Sequence, residues 1–175
     1  MCLEWLKKLV NRDNPPPLQP NPNPNVNPDP KPQLTVYEER DWDWIKSVLI
    51  ENKVLIDANH EDGLTQAIQL DNQYWVTDMN NVLNVISYNW VDKKTYIPEK
   101  HDCDNFAIMF YATAVEDFQL NSIGIVIDWS SGHAYNLIVL SNRQVLLLEP
   151  QSDTYFFPPY RDVQYYGLKD GLVLI

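Results

Sequence analysis

Two hydrophobic periods divide the chain. Between residues 38 and 118 apolar positions recur three and four apart, whereas beyond Asn121 they alternate or run together. Residues 38–51 carry Trp42, Trp44, Ile45, Val48 and Leu49 and read as a first helix. A polar loop with Asp57, Asn59, His60, Asp62 and Gly63 follows. Thr77 supplies a capping hydroxyl for a second helix, with Met79, Val82, Leu83, Ile86 and Trp90 on its apolar side. Pro98 separates that helix from a third, which opens at Cys103 behind the capping residue Asp102 and runs to Phe118. Phe106, Ala107, Phe110, Ala114 and Phe118 keep helical spacing, and Ile108, Met109, Tyr111, Ala112 and Val115 fill most of the remaining circumference. A helix so apolar is expected to run through a core. Residues 123–128, 133–140 and 145–149 then read as three strands, joined by turns at 129–132 and 141–144. The expected class is α+β, with N-terminal helices and a central cysteine-bearing helix packed on an antiparallel sheet.

The first 33 residues follow neither pattern. Residues 1–10 set Leu3, Trp5, Leu6, Leu9 and Val10 among Glu4, Lys7 and Lys8, a short amphipathic segment suited to a membrane interface, a partner, or its own domain. It is too short for a transmembrane span and lacks the apolar region and cleavage site of a signal peptide, so a cytoplasmic or virion-associated location is the default expectation. No lipobox precedes Cys2, which reads as a free thiol. Residues 11–33 hold nine of the 13 prolines, and Asn-Pro alternation makes them a polyproline-like tether. Residues 34–175 remain for one domain.

Composition narrows the class of function. At 45% hydrophobic and 12% aromatic, 175 residues can bury a full core. The balance of 13 basic against 24 acidic residues, net −11, argues against nucleic acid as a partner. Two cysteines exclude a disulfide framework, and the absence of Cys-x-x-Cys excludes a metal finger.

The chemistry concentrates at Cys103. A thiol at a helix N-terminus meets unpaired N–H groups and the positive end of the macrodipole, which favour the thiolate. Asp102 and Asp104 oppose this, so a positive partner is needed. His133 begins the second predicted strand, and Glu149 ends the third, at the same end of the sheet. An odd-length turn between these strands places Glu149 opposite Tyr135 and diagonal to His133; an even one sends it to the other face. An imidazole held by a carboxylate can take the thiol proton.

His-Asp-Cys-Asp-Asn-Phe-Ala at 101–107, Gly-His-Ala-Tyr-Asn at 132–136 and Leu-Leu-Glu-Pro-Gln at 147–151 together resemble the papain-like C-terminal domain of the Marasmius oreades agglutinin family and its bacterial and phage-borne relatives. The resemblance implies a papain-like cysteine protease fold, with Cys103 as nucleophile, His133 as base and Glu149 as orienting acid. It also implies that calcium or a similar divalent cation can act as activator, with ligands not assigned. The lectin domain of the fungal protein has no counterpart here, and the position of papain's oxyanion glutamine is Ile97. The Cys103 N–H and Gln151 are the expected oxyanion donors instead. The function expected on this basis is a cysteine peptidase or amide hydrolase acting on a protein or peptide substrate. The alternatives are a thiol acyltransferase of the transglutaminase kind and a catalytically silent papain-like binding module.

Overall fold

The computed structural model describes residues 30–35, 37–58, 63–158 and 165–175. Residues 1–10, most of the proline-rich tether and His60 lie outside these. In chain order the elements are β1 (Glu38–Asp41), α1 (Trp42–Glu51), β2 (Gln66–Ile68), β3 (Gln73–Val76), α2 (Met79–Tyr88), a 3-10 turn at Val91–Lys93 and α3 (Cys103–Phe118). The strands β4 (Ile123–Asp128), β5 (His133–Val139), β6 (Val145–Glu149), β7 (Thr154–Phe156) and β8 (Gly171–Leu174) follow. Six strands form one sheet in the order β2-β8-β4-β5-β6-β7, and β1 pairs with β3 in a separate ribbon. The α+β class holds. The expected antiparallel sheet is corrected in one respect, because β2 joins its edge parallel to β8.

Local chemistry moves the helix boundaries from their expected positions. Asp41 accepts from the Trp44 N–H at 2.8 Å, so α1 starts at Trp42, and residues 38–41 pair with β3 instead of extending the helix. At α2 the cap is Asp78 rather than Thr77: its carboxylate accepts from the Asn81 N–H at 2.9 Å. The Thr77 hydroxyl accepts from the Asn81 side chain at 2.8 Å. α2 ends at Tyr88, short of Trp90. α3 is buried along one stripe, Phe106, Ala107, Phe110, Ala114 and Phe118, while Ile108 is 48% exposed. The helix therefore lies on the sheet rather than threading a core.

The core has two sides because β5 is covered on both. Tyr135, Leu137 and Val139 pack in one cluster with Ile45, Val48 and Leu49 of α1. Ile138 packs in the other with Val82 and Val85 of α2 and Phe110 and Phe118 of α3. Every residue of β5 and β6 is buried, and each such aliphatic side chain contributes about 1.5–3 kcal/mol by leaving water.

The register of β5 on β6 decides what the sheet end can do. Val139 pairs with Val145 and Asn136 with Leu148, and Leu140 N–H donates to Gln144 O at 2.9 Å. The turn is thus Ser141, Asn142 and Arg143, with Arg143 in the left-handed region at φ 67. A three-residue loop with its last position left-handed is a common hairpin closure. Its odd length places Glu149 on the same face as His133.

Candidate functional site

Three elements converge where β5 begins. His133 opens the strand directly after Gly132, whose φ of +61 suits the turn. Its Nε2 donates to Glu149 Oε2 at 2.7 Å, with the histidine side chain 5% exposed and the carboxylate fully buried. Cys103 hydrogen-bonds the same imidazole. Burial alone would push His133 down. The hydrogen bonds to Cys103 and Glu149, with their charges, outweigh it and raise the imidazole to about 9. At neutral pH the ring therefore keeps its second proton.

Glu149 is held on both oxygens. Oε2 also accepts from the Tyr166 hydroxyl at 3.1 Å, and Oε1 accepts from the Gln151 N–H at 3.3 Å. A buried carboxylate so satisfied avoids the desolvation cost that an unpaired one would carry. The imidazole packs beside two phenol rings that also meet each other, with centroids 5.6 Å away at Tyr135 and 5.5 Å away at Tyr166 and the phenols 5.0 Å apart. Burial above all, with the nearby Asp128 carboxylate, raises Tyr135 well above the ordinary phenol range, so it stays protonated.

Cys103 is half-buried at the first turn of α3. The capping geometry is local: Asp102 N–H donates to Asn105 Oδ1 at 3.1 Å, and Asp102 Oδ2 accepts from the Glu99 N–H at 3.0 Å. A side-chain hydrogen bond with Asp104, reinforced by burial, raises the Asp102 carboxyl.

The structure thus brings Cys103, His133 and Glu149 together. Gln151 meets the cluster through its backbone, and its side-chain Oε1 is buried with no hydrogen-bond partner among the described residues. His101 is held elsewhere, with Nδ1 2.8 Å from Thr95 O and its ring on Phe106 at 5.0 Å. Tyr166 was not among the expected residues. It stands beyond the strand pattern, and only the folded chain returns it to Glu149. Among the described residues no group of three or more His, Cys, Asp or Glu side chains is placed to hold a metal ion, so no step is derived through the divalent cation that the family resemblance implies. No helix among them is long and apolar enough to cross a membrane.

No protein-family model matches the chain, and no curated protein matches it either. Solved structures do. One described as a "PSL1a-E64 complex" aligns with TM-score 0.57 at 21% identity, covering 78% of this chain and 51% of that one. A second is Polyporus squamosus lectin bound to the human-type influenza-binding epitope Neu5Aca2-6Galb1-4GlcNAc; it aligns with TM-score 0.55 at 21% identity, over 78% of this chain and 49% of that one. At this identity the likeness shows the fold, and the lectin description of these neighbours stands against the enzymatic expectation. The hydrolase, protease and catalytic-triad readings, the transglutaminase alternative and the peptide substrate are set aside. The physical reason is that motif spacing reports a thiol, an imidazole and a carboxylate sharing protons, and that geometry does not by itself require turnover. The chain spans about half the length of the lectin structures it matches and shares the fold of that portion.

Proposed function

We propose that this chain is a glycan-binding module that performs no hydrolysis, its cysteine-bearing helix and sheet in a papain-like arrangement. The observation that supports the reading is the fold shared with about half the length of a lectin described as bound to Neu5Aca2-6Galb1-4GlcNAc. Within the module, Cys103, His133 and Glu149 form a sensitised-thiol cluster. The imidazole keeps a proton at neutral pH, Glu149 is locked by Tyr166 and Gln151, and the half-buried thiol faces a positive partner. This polarises the sulfur toward electrophiles without implying a catalytic cycle.

The test measures binding and turnover on one preparation of the full chain. Saturable binding of a lactosamine-type oligosaccharide is expected, retained in Cys103→Ala, with no peptide release from casein. Peptide release by the wild type that disappears in Cys103→Ala would overturn the proposal and restore a catalytic role to the cluster.

A further inference from the structure

Glu149, His133 and Cys103 form a chain of hydrogen bonds that ends on a partly exposed sulfur. The carboxylate is fully buried, the imidazole is 5% exposed, and Cys103 is half-buried on the first turn of α3. Stability alone does not call for such a chain, since well-packed apolar residues of similar volume commonly serve as well as a buried ion pair. Its distinctive product is a sulfur paired with a proton donor. Oxidation of a cysteine follows thiolate character and access, and both meet at Cys103.

The surroundings of the sulfur restrict which oxidants reach it. Asp102 and Asp104 flank Cys103 in the chain, and the protein carries net −11. An anionic oxidant such as oxidised glutathione is repelled, whereas a small neutral one is not. Cys103 is also the only cysteine among the described residues, so a sulfenic acid formed there finds no second cysteine among them with which to condense.

We infer that Cys103 is a reversible oxidation site for hydrogen peroxide, with His133 supplying the proton that the departing oxygen needs. The inference rests on the thiol cluster and is independent of glycan binding. The thiolate sulfur attacks one peroxide oxygen, the S–O bond forms as the O–O bond breaks, and the leaving hydroxide takes the imidazolium proton to become water. Thiolate, imidazolium and peroxide thus give sulfenic acid, neutral imidazole and water; the sulfur gives up an electron pair and the peroxide gains it. Glu149 keeps the ring in place through its 2.7 Å bond. An external thiol reverses the change by displacing water to form a mixed disulfide, which a further thiol reduces.

The experiment treats the full chain at about pH 7 with hydrogen peroxide and dimedone, which traps sulfenic acids, and locates the adduct by peptide mapping. Cys103 should be labelled about tenfold faster than Cys2, and dithiothreitol added before the dimedone should prevent labelling. Oxidised glutathione at the same concentration should modify Cys103 more slowly than peroxide does. His133→Gln should slow oxidation about tenfold more than it slows alkylation by iodoacetamide, because alkylation needs only the thiolate and peroxide also needs the proton. In the wild type the ratio of oxidation to alkylation should fall as pH rises through about 9, where the imidazole gives up its proton. Equal labelling of the two cysteines would overturn the site, and faster reaction with oxidised glutathione would overturn the choice of a neutral oxidant. A ratio that stays flat with pH would overturn the proton donor, even where the variant fails to fold. Fast alkylation of Cys103 with no dimedone adduct would overturn the peroxide reaction while leaving the sensitised thiol intact.

Discussion

Asp128 and Glu149 are both fully buried carboxylates at the same end of the sheet, on the strands flanking β5. Asp128 is the register partner of His133 on β4, and Glu149 reaches His133 from β6. Their surroundings differ in one respect. Among the described residues, Asp128 accepts from neutral donors: the Ser130 hydroxyl, the Ser131 N–H at 3.2 Å, the Tyr135 hydroxyl at 3.1 Å and the Leu168 N–H at 2.9 Å. Glu149 accepts from one hydroxyl, one amide and an imidazole that can carry charge. Asp128 therefore ties the 129–132 turn to the segment entering β8, whereas Glu149 sets the charge on His133. Gly171 belongs to the first of these: at φ +149, a Cβ there would lie 2.1 Å from Ile127 O, so only glycine lets β8 close against β4.

If Asp128 is a clamp, losing it should produce the largest effect of all. Asp128→Ala leaves four donors without their acceptor in the interior and should cost about 3–5 kcal/mol. For a chain of this size that lowers the melting temperature by roughly 10 °C or more. Calorimetry on the purified variant checks it; a loss under about 1 kcal/mol would mean that water replaces the carboxylate and that no clamp exists.

Asp128 also marks the limit of what the sequence made legible. The three long strands and the cysteine helix could be read because their apolar runs are long and bounded by turn residues. The meeting of His133 with Glu149 followed from strand parity alone, once the turn at Ser141, Asn142 and Arg143 was taken as odd. The short strands β1, β2, β3, β7 and β8 have three or four residues each, too few for a period to stand out. The contacts of Asp128 with Leu168 and of Glu149 with Tyr166 join residues 40 and 17 apart with no spacing rule between them. Enzymatic function was overread because a proton-sharing cluster and a turnover site leave the same motif in a sequence.

A second, smaller effect separates the two carboxylates by pH. The raised pKa of His133 means that the folded state holds a proton which the unfolded chain releases at its ordinary value of 6.5. This stabilisation is complete below about pH 6.5 and is lost as pH rises through about 9. Denaturant titrations at about pH 6 and about pH 9.5 should differ by roughly 2–3 kcal/mol in the wild type and by much less in His133→Gln. Equal slopes in the two proteins would place the proton elsewhere.

The smallest expected change in stability is also the most direct comparison, because the same isosteric substitution can be made at each carboxylate. Glu149→Gln keeps the size of the side chain and an acceptor for Tyr166, so above about pH 9, where the His133 proton no longer contributes, its cost in stability should be only about 1–2 kcal/mol. It removes the charge that helps hold His133 near 9, and the imidazole falls back toward 6.5. At pH 7 the ring then spends most of its time neutral, and Cys103 loses its positive partner. Alkylation of Cys103 by iodoacetamide, resolved from Cys2 by peptide mapping, should slow about tenfold at pH 7. It should also recover at higher pH, where any thiol ionises. Asp128→Asn should leave both the rate and its pH midpoint unchanged, because none of the partners of Asp128 changes charge near neutrality. If both variants slow alkylation equally, the two carboxylates act through the common scaffold and the distinction between clamp and charge-setter fails. If neither does, the dipole of α3 alone sustains the thiolate, and Glu149 joins Asp128 as a structural anchor.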